Sequence, residues 1–145
     1  MSKKVLILGG SGRIGRSVAT DILTHTSAQV TITGRSKMPP KDEKAKSNRT
    51  FQSIDLADES AVEKAIASHD LIVHCAGPFR SRNHHVLNSC IAQGKSYIDV
   101  ADSPDYVNKA LKYREEAQAA GVTAVISTGI FPGISGSMVR QGIEQ

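Results

Sequence analysis

The sequence predicts an α/β fold: a doubly wound, mainly parallel six-stranded sheet with helices on both faces. Three observations predict it. Short apolar or β-branched runs alternate with stretches of helical periodicity along the whole chain. The first run, Lys4 to Leu8, is almost wholly apolar, as expected of a strand buried on both faces. It passes through glycines straight into a helical stripe, the strand–turn–helix that opens such sheets. Short right-handed crossovers then favour the strand order 3-2-1-4-5-6.

The opening turn reads G-x-G-x-x-G, at Gly10, Gly12 and Gly15. Gly10 is expected to turn the chain out of the strand. Gly12 leaves no side chain where a pyrophosphate must approach, and Gly15 lets helix and strand pack closely. Ser11, Arg13 and Ile14 lie between them. The helix that follows has Ile14, Val18, Ile22 and Leu23 near helical spacing, and its first amides and dipole favour an anion. A lone glycine fingerprint is weak, but here the strand before and the helix after are both present.

Gln29 to Thr33 is the second strand, ended by Gly34-Arg35-Ser36. This position, about 20 residues past the glycine loop, meets the adenosine ribose. An NAD site wants Asp or Glu here. The chain has Arg35, flanked by Ser36, and a guanidinium pairs with the 2′-phosphate of NADP. NADP is therefore the expected cofactor and NAD the less favoured one. Met38 to Asn48, with Pro39-Pro40 and several lysines, reads as an exposed loop.

Thr50 to Ile54 is the third strand. Asp55 after it either accepts from an adenine amino group or caps the next helix, with Leu56 against the ring and Asp58 competing for the cap. Asp70 to Cys75 is the fourth strand, followed by Ala76, Gly77, Pro78 and Phe79. Small residues there allow the nicotinamide ribose and pyrophosphate to pass, and Pro78 fixes the turn. His74 is expected as a core histidine bonded to backbone, and Cys75 as a small buried hydrophobe. His84 and His85 are neighbours that cannot chelate one metal well, so they are read as surface residues and no metal is expected.

Val86, Leu87, Cys90 and Ile91 form a helical stripe stopped at Gly94, and Ser96 to Val100 is the fifth strand. Asp99 is left as a crevice residue and Asp102 as a helix cap before Ser103-Pro104. Tyr106 to Ala120 reads as one helix, Val122 to Ser127 as the sixth strand, and Ser135 opens a last helix.

Composition narrows the function classes. The net charge of +4 is local: six basic residues face two acidic ones between Arg35 and Arg49, and the rest of the chain balances. No Trp and 4% aromatic residues leave no stacking platform for nucleic acid, so none is expected as a partner. The apolar run after Met1 ends at once in glycines, too short for a signal peptide or a membrane span. Two cysteines, Cys75 and Cys90, suggest a reducing, cytoplasmic compartment.

With these residues laid out, the chain resembles the NADP-binding Rossmann domain of the saccharopine dehydrogenase-like (saccharopine reductase) family. The likeness rests on GGSGRIG, TGRS, DLIVHCAGPF, SYIDVADSP and AGVTAVISTGIFPGIS and covers nearly the whole chain. GGSGRIG alone is shared with short-chain and NmrA-like proteins; the AGPF, YIDVAD and FPG segments are more specific. The resemblance implies phosphate contacts at Gly10 to Ile14, a 2′-phosphate contact at Arg35, and cofactor contacts at Asp55 and at Ala76 to Phe79. It also implies a further domain holding substrate, which the 145 residues do not include. No Ser-Tyr-Lys set is present, since Tyr97 and Tyr113 lack a lysine four residues on, and the catalytic residues stay unassigned. Residues 1–145 are thus expected to be one cofactor-binding domain whose parent enzyme transfers hydride to or from a small substrate. The rival is a non-enzymatic, NmrA-like NADP redox sensor. Apolar Ile134 and Met138 in the last helix point to self-association as a homo-oligomer.

Overall fold

A computed structural model describes residues 2–36, 48–129 and 134–144. The lysines between Lys37 and Lys46, and Phe131 and Pro132 of the FPG loop, lie outside the described residues. The strands are β1 (Lys4–Leu8), β2 (Gln29–Gly34), β3 (Arg49–Ser53), β4 (Leu71–His74), β5 (Ser96–Asp99) and β6 (Ala124–Val125). The helices are α1 (Arg13–His25), α2 (Glu59–Ala67), α3 (His85–Ala92), α4 (Pro104–Ala110), α5 (Arg114–Ala119) and α6 (Ser135–Ile143). The strands form one sheet in the order β3-β2-β1-β4-β5-β6, every pair parallel. This is the predicted Rossmann topology, with its switch point between β1 and β4.

The alternation of β1 builds two cores. Leu6 and Leu8 face α2, α3 and α5 through Val62, Ile66, Leu87 and Ala117. Val5 and Ile7 face the other way, toward Ala19 of α1, Val30 and Ile32. A third cluster, Phe79 with Ala101 and Tyr106, closes the carboxyl end of β4 and β5. α1 keeps Ala19 and Gly15 buried, with Val18, Ile22 and Leu23 packed against the second core. Ile14, in the first turn of α1, departs from the predicted stripe: it is 49% exposed.

Three other expectations are corrected. The predicted helix over 106–120 is broken into α4, a 3-10 turn (Leu111–Tyr113) and α5, although no Gly or Pro marks the break. α4 is preceded by Ser103 as N-cap with Pro104 in its first turn, and no side chain caps it; Asp102 lies outside, exposed. β6 spans two residues rather than six: Val122 still bonds back to Ala117 of α5 before it, and Asp99 draws the chain away after it. Its carboxyl group takes the Ser127 amide at 2.8 Å, and Ser127 adopts φ +60°. Its carbonyl takes the Thr128 amide at 2.9 Å. The chain leaves the sheet there because the Asp99 side chain takes the Ser127 amide.

Asp99 itself is fully buried, so it is a structural group and not a crevice residue. It also accepts from the Tyr97 hydroxyl at 2.9 Å and the Ala101 amide at 3.0 Å. Such a buried carboxyl is tolerable because its oxygens are supplied with donors. Burial raises the Tyr97 hydroxyl well above the ordinary phenol range, so it stays protonated and donates.

Candidate functional site

The glycine turn is held mostly by its own backbone. Gly10 donates to the Ile7 carbonyl at 3.1 Å, Ser11 to the Thr33 carbonyl at 3.0 Å, and Gly12 to the Gly9 carbonyl at 2.9 Å. The Gly9 amide donates to the Thr33 hydroxyl at 3.2 Å. Gly9, at φ +75°, makes the turn that was expected at Gly10. A Cβ on Gly10 would lie 2.6 Å from the Ile32 side chain, so its role is close approach to β2. Gly15 does pack as predicted: a Cβ there would collide with the Gly9 carbonyl and stand 2.6 Å from the Gly10 Cα.

This bonding leaves the amides of Arg13 and Ile14 as the donors of the turn. Gly12 is the N-cap of α1 and has no side chain to cap them, and the first amides of a helix have no acceptor within it. A Cβ on Gly12 would meet only the Gly9 carbonyl, at 3.2 Å. The space above the turn is therefore clear, and the residues present fit a diphosphate seated on the helix N-terminus.

The turn forms the floor of a crevice of about 350 Å³ at the carboxyl ends of β1 to β4. Thr33, Gly34 and Arg35 line it on the β2 side, with Ile54, Asp55 and Leu56 beyond; Cys75, Ala76, Gly77, Pro78 and Arg82 line it on the β4 side. Ser11, Gly12, Arg35, Asp55, Leu56, Ala76, Gly77 and Pro78 are thus brought together as the sequence analysis grouped them. The side chains of Arg13 and Ile14 are exposed and, like Gly10, do not line the crevice; Ser36 is exposed beside Arg35. Phe79 is placed differently. It is 3% exposed and packs beneath the crevice, its ring 5.1 Å from Tyr106 and 4.9 Å from His74.

Asp58, not Asp55, caps α2, accepting from the Ala61 amide at 3.0 Å. Asp55 accepts from the Ala57 amide at 3.1 Å, which fixes its carboxyl group at the crevice wall. His74 is a core residue: its Nδ1 accepts from the Ala76 amide at 3.3 Å. Burial, helped by the nearby Arg82 charge, lowers its pKa to about 3, so the ring is neutral. The Cys75 thiol is pushed up to about 11, first by burial and then by Asp99, and is no nucleophile at neutral pH. His84 and His85 are half-buried and partnered rather than free surface residues. His84 stacks on Tyr106 at 4.2 Å and bonds its carbonyl at 2.9 Å; His85 is 3.7 Å from each of Glu59 and Glu63.

Sequence reasoning missed Gly9, Thr33 and Arg82. Gly9 was legible as the first of a glycine doublet. Thr33 and Arg82 carried no local signal, because their partners lie across the fold.

With this geometry in hand, the relatives are informative. Residues 5–125 match the family model of the saccharopine dehydrogenase NADP binding domain. The chain belongs to that family. Its cofactor is NADP. The chain is 29% identical, over its whole length, to saccharopine dehydrogenase [NADP(+), L-glutamate-forming] of Pyricularia oryzae, covering 31% of that protein. It is 26% identical, over 87% of its length, to a saccharopine dehydrogenase-like oxidoreductase of Rattus norvegicus, covering 34% of that protein. Among solved structures, apo saccharopine dehydrogenase (L-Glu forming) from Saccharomyces cerevisiae superposes with TM-score 0.76 at 22% identity, over 99% of this chain and 31% of that one. The chain thus spans about a third of the length of these relatives. Among the described residues no helix is long and apolar enough to cross a membrane.

The turn makes a contrast that can be measured. Gly12→Ala should cost less stability than Gly15→Ala, since its methyl meets one atom, the Gly9 carbonyl oxygen at 3.2 Å, yet it should weaken NADPH binding at least about tenfold by entering the space above the turn. Gly15→Ala should instead cost about 2 kcal/mol of stability, because its methyl meets rigid backbone. Urea unfolding and calorimetry on the two variants separate the effects; two equally unstable proteins would show that Gly12 has a packing role.

Proposed function

We propose that the crevice holds NADP(H) across the switch point, as the cofactor half of an oxidoreductase. The diphosphate lies on the amides of Arg13 and Ile14, over Gly10, Ser11 and Gly12. Arg35, with Ser36, receives the 2′-phosphate; Asp55 and Leu56 border the adenine; Ala76, Gly77 and Pro78 flank the nicotinamide ribose. Phe79 supports that wall from below. The bound nicotinamide supplies hydride transfer to or from a small substrate. The residues here bind it, orient it and keep one face open toward the loops after β4 to β6. Substrate binding and turnover are assigned to a protein of the relatives' length. No observation favours the sensor alternative.

The observation that carries this reading is Arg35 on the crevice wall where an NAD site would place a carboxylate. Paired calorimetric titration tests it. NADPH should bind at least about tenfold tighter than NADH, as one charge-assisted phosphate pair warrants. Equal affinities, or tighter NADH, would overturn it. Two free cysteines, Cys75 and Cys90, support a reducing, cytoplasmic setting. Exposed Ile134, Met138, Val139 and Ile143 on and before α6 support self-association of the isolated chain.

A further inference from the structure

We propose that Arg82 is a second cofactor-binding cation, placed to take the phosphate on the nicotinamide side of the diphosphate. The inference rests on the crevice being a dinucleotide site. Arg82 lies outside the glycine fingerprint and on the opposite wall from Arg35.

Its bonding asks for an anion. Nε donates to the Ala76 carbonyl at 3.1 Å, and Nη2 to the Gly77 carbonyl at 3.4 Å. A guanidinium carries five N–H donors, so three remain. The side chain is half-buried, and among the described residues no carboxylate pairs with it. Neutral carbonyls fix its direction without balancing its charge. A cation drawn partly out of water without a counter-ion is costly, and a phosphate oxygen in the crevice removes that cost. The uncancelled charge is felt at His74 behind it, where it adds to the effect of burial.

Its position selects which phosphate. β2 and β4 lie on opposite sides of β1 in the sheet. The adenosine goes to the β2 side, where Arg35 stands, so the other half of the dinucleotide crosses to the β4 side. Arg82 is the crevice-lining cation there, anchored to the two carbonyls of the β4 turn. The same side chain borders a second cleft of about 670 Å³ that holds Arg80, His84 and Lys109. It therefore stands at the doorway between the two spaces.

The test compares NADPH with adenosine 2′,5′-bisphosphate, which lacks the nicotinamide nucleotide. Wild-type protein should bind NADPH more tightly than the bisphosphate. Arg82→Met should weaken NADPH at least tenfold and change bisphosphate binding less than twofold. Arg82→Lys, which keeps charge and loses the fork, should recover most of the NADPH affinity; Arg82→Gln, which keeps donors and loses charge, should resemble Arg82→Met. Equal loss for both ligands, no loss, or Lys and Met variants alike would overturn the proposal, the last by showing that Arg82 only pins the turn. Wild-type protein that binds neither compound would mark failure of the dinucleotide reading itself, and this inference would fall with it.

Discussion

Arg35→Asp should weaken NADPH binding about a hundredfold, close to 2.7 kcal/mol, while NADH binds equally or better. Two effects add. The substitution removes a guanidinium able to grip the 2′-phosphate through paired N–H groups. It also places a carboxylate beside a group that already carries negative charge. For NADH the same carboxylate meets ribose hydroxyls and can accept from both. The fold should not notice, since Arg35 is exposed and among the described residues makes no ion pair. Calorimetry at low ionic strength with both cofactors, beside a melting curve, decides the matter. A variant that still prefers NADPH would mean that Arg35 does not read the 2′-phosphate.

Acid should destabilise this domain through His74, by about 2 kcal/mol between pH 7 and pH 5. The folded ring has its pKa lowered to about 3, against 6.5 for a free histidine side chain. Between these values the unfolded chain binds a proton that the folded one refuses. The stabilising contribution is therefore whole above pH 6.5 and fades as pH falls, approaching about 4 to 5 kcal/mol of loss near pH 3. The refusal is physical: charging the ring would strand a cation between Phe79 and Tyr97, with Arg82 close by. His74→Gln keeps an acceptor for the Ala76 amide and removes the titration. Its urea-derived stability should lie below that of the wild type at pH 7 and converge on it toward pH 5. Two parallel curves would show that the imidazole is protonated alike in both states.

Much of the site was readable one residue at a time. Gly12, Gly15 and Arg35 have places set by local spacing: open space before a helix, a close approach, and a side chain at the end of a strand. The grouping of Asp55, Leu56 and Ala76 to Pro78 followed once the strand order was assumed, because parallel strands bring their carboxyl ends to one edge. Asp99 and Asp102 show where such reading stops. Both are acidic residues at a strand end, and nothing adjacent to Asp99 announces that Tyr97, Ala101 and Ser127 will converge on it. The early departure of the chain after β6 follows from that same carboxyl group. His84 and His85 likewise look like surface residues until α2 and α4 are placed against them.

The sequence by itself determined the parallel sheet, its order, the glycine turn into α1 and the cation at the end of β2. Each of these depends on period, composition or fixed spacing along the chain. Tertiary structure alone decided that Thr33 braces the turn, that Phe79 and Asp99 are buried, and that Arg82 faces the crevice. These depend on partners many residues away, and burial or an unbalanced charge is a property of neighbours in space.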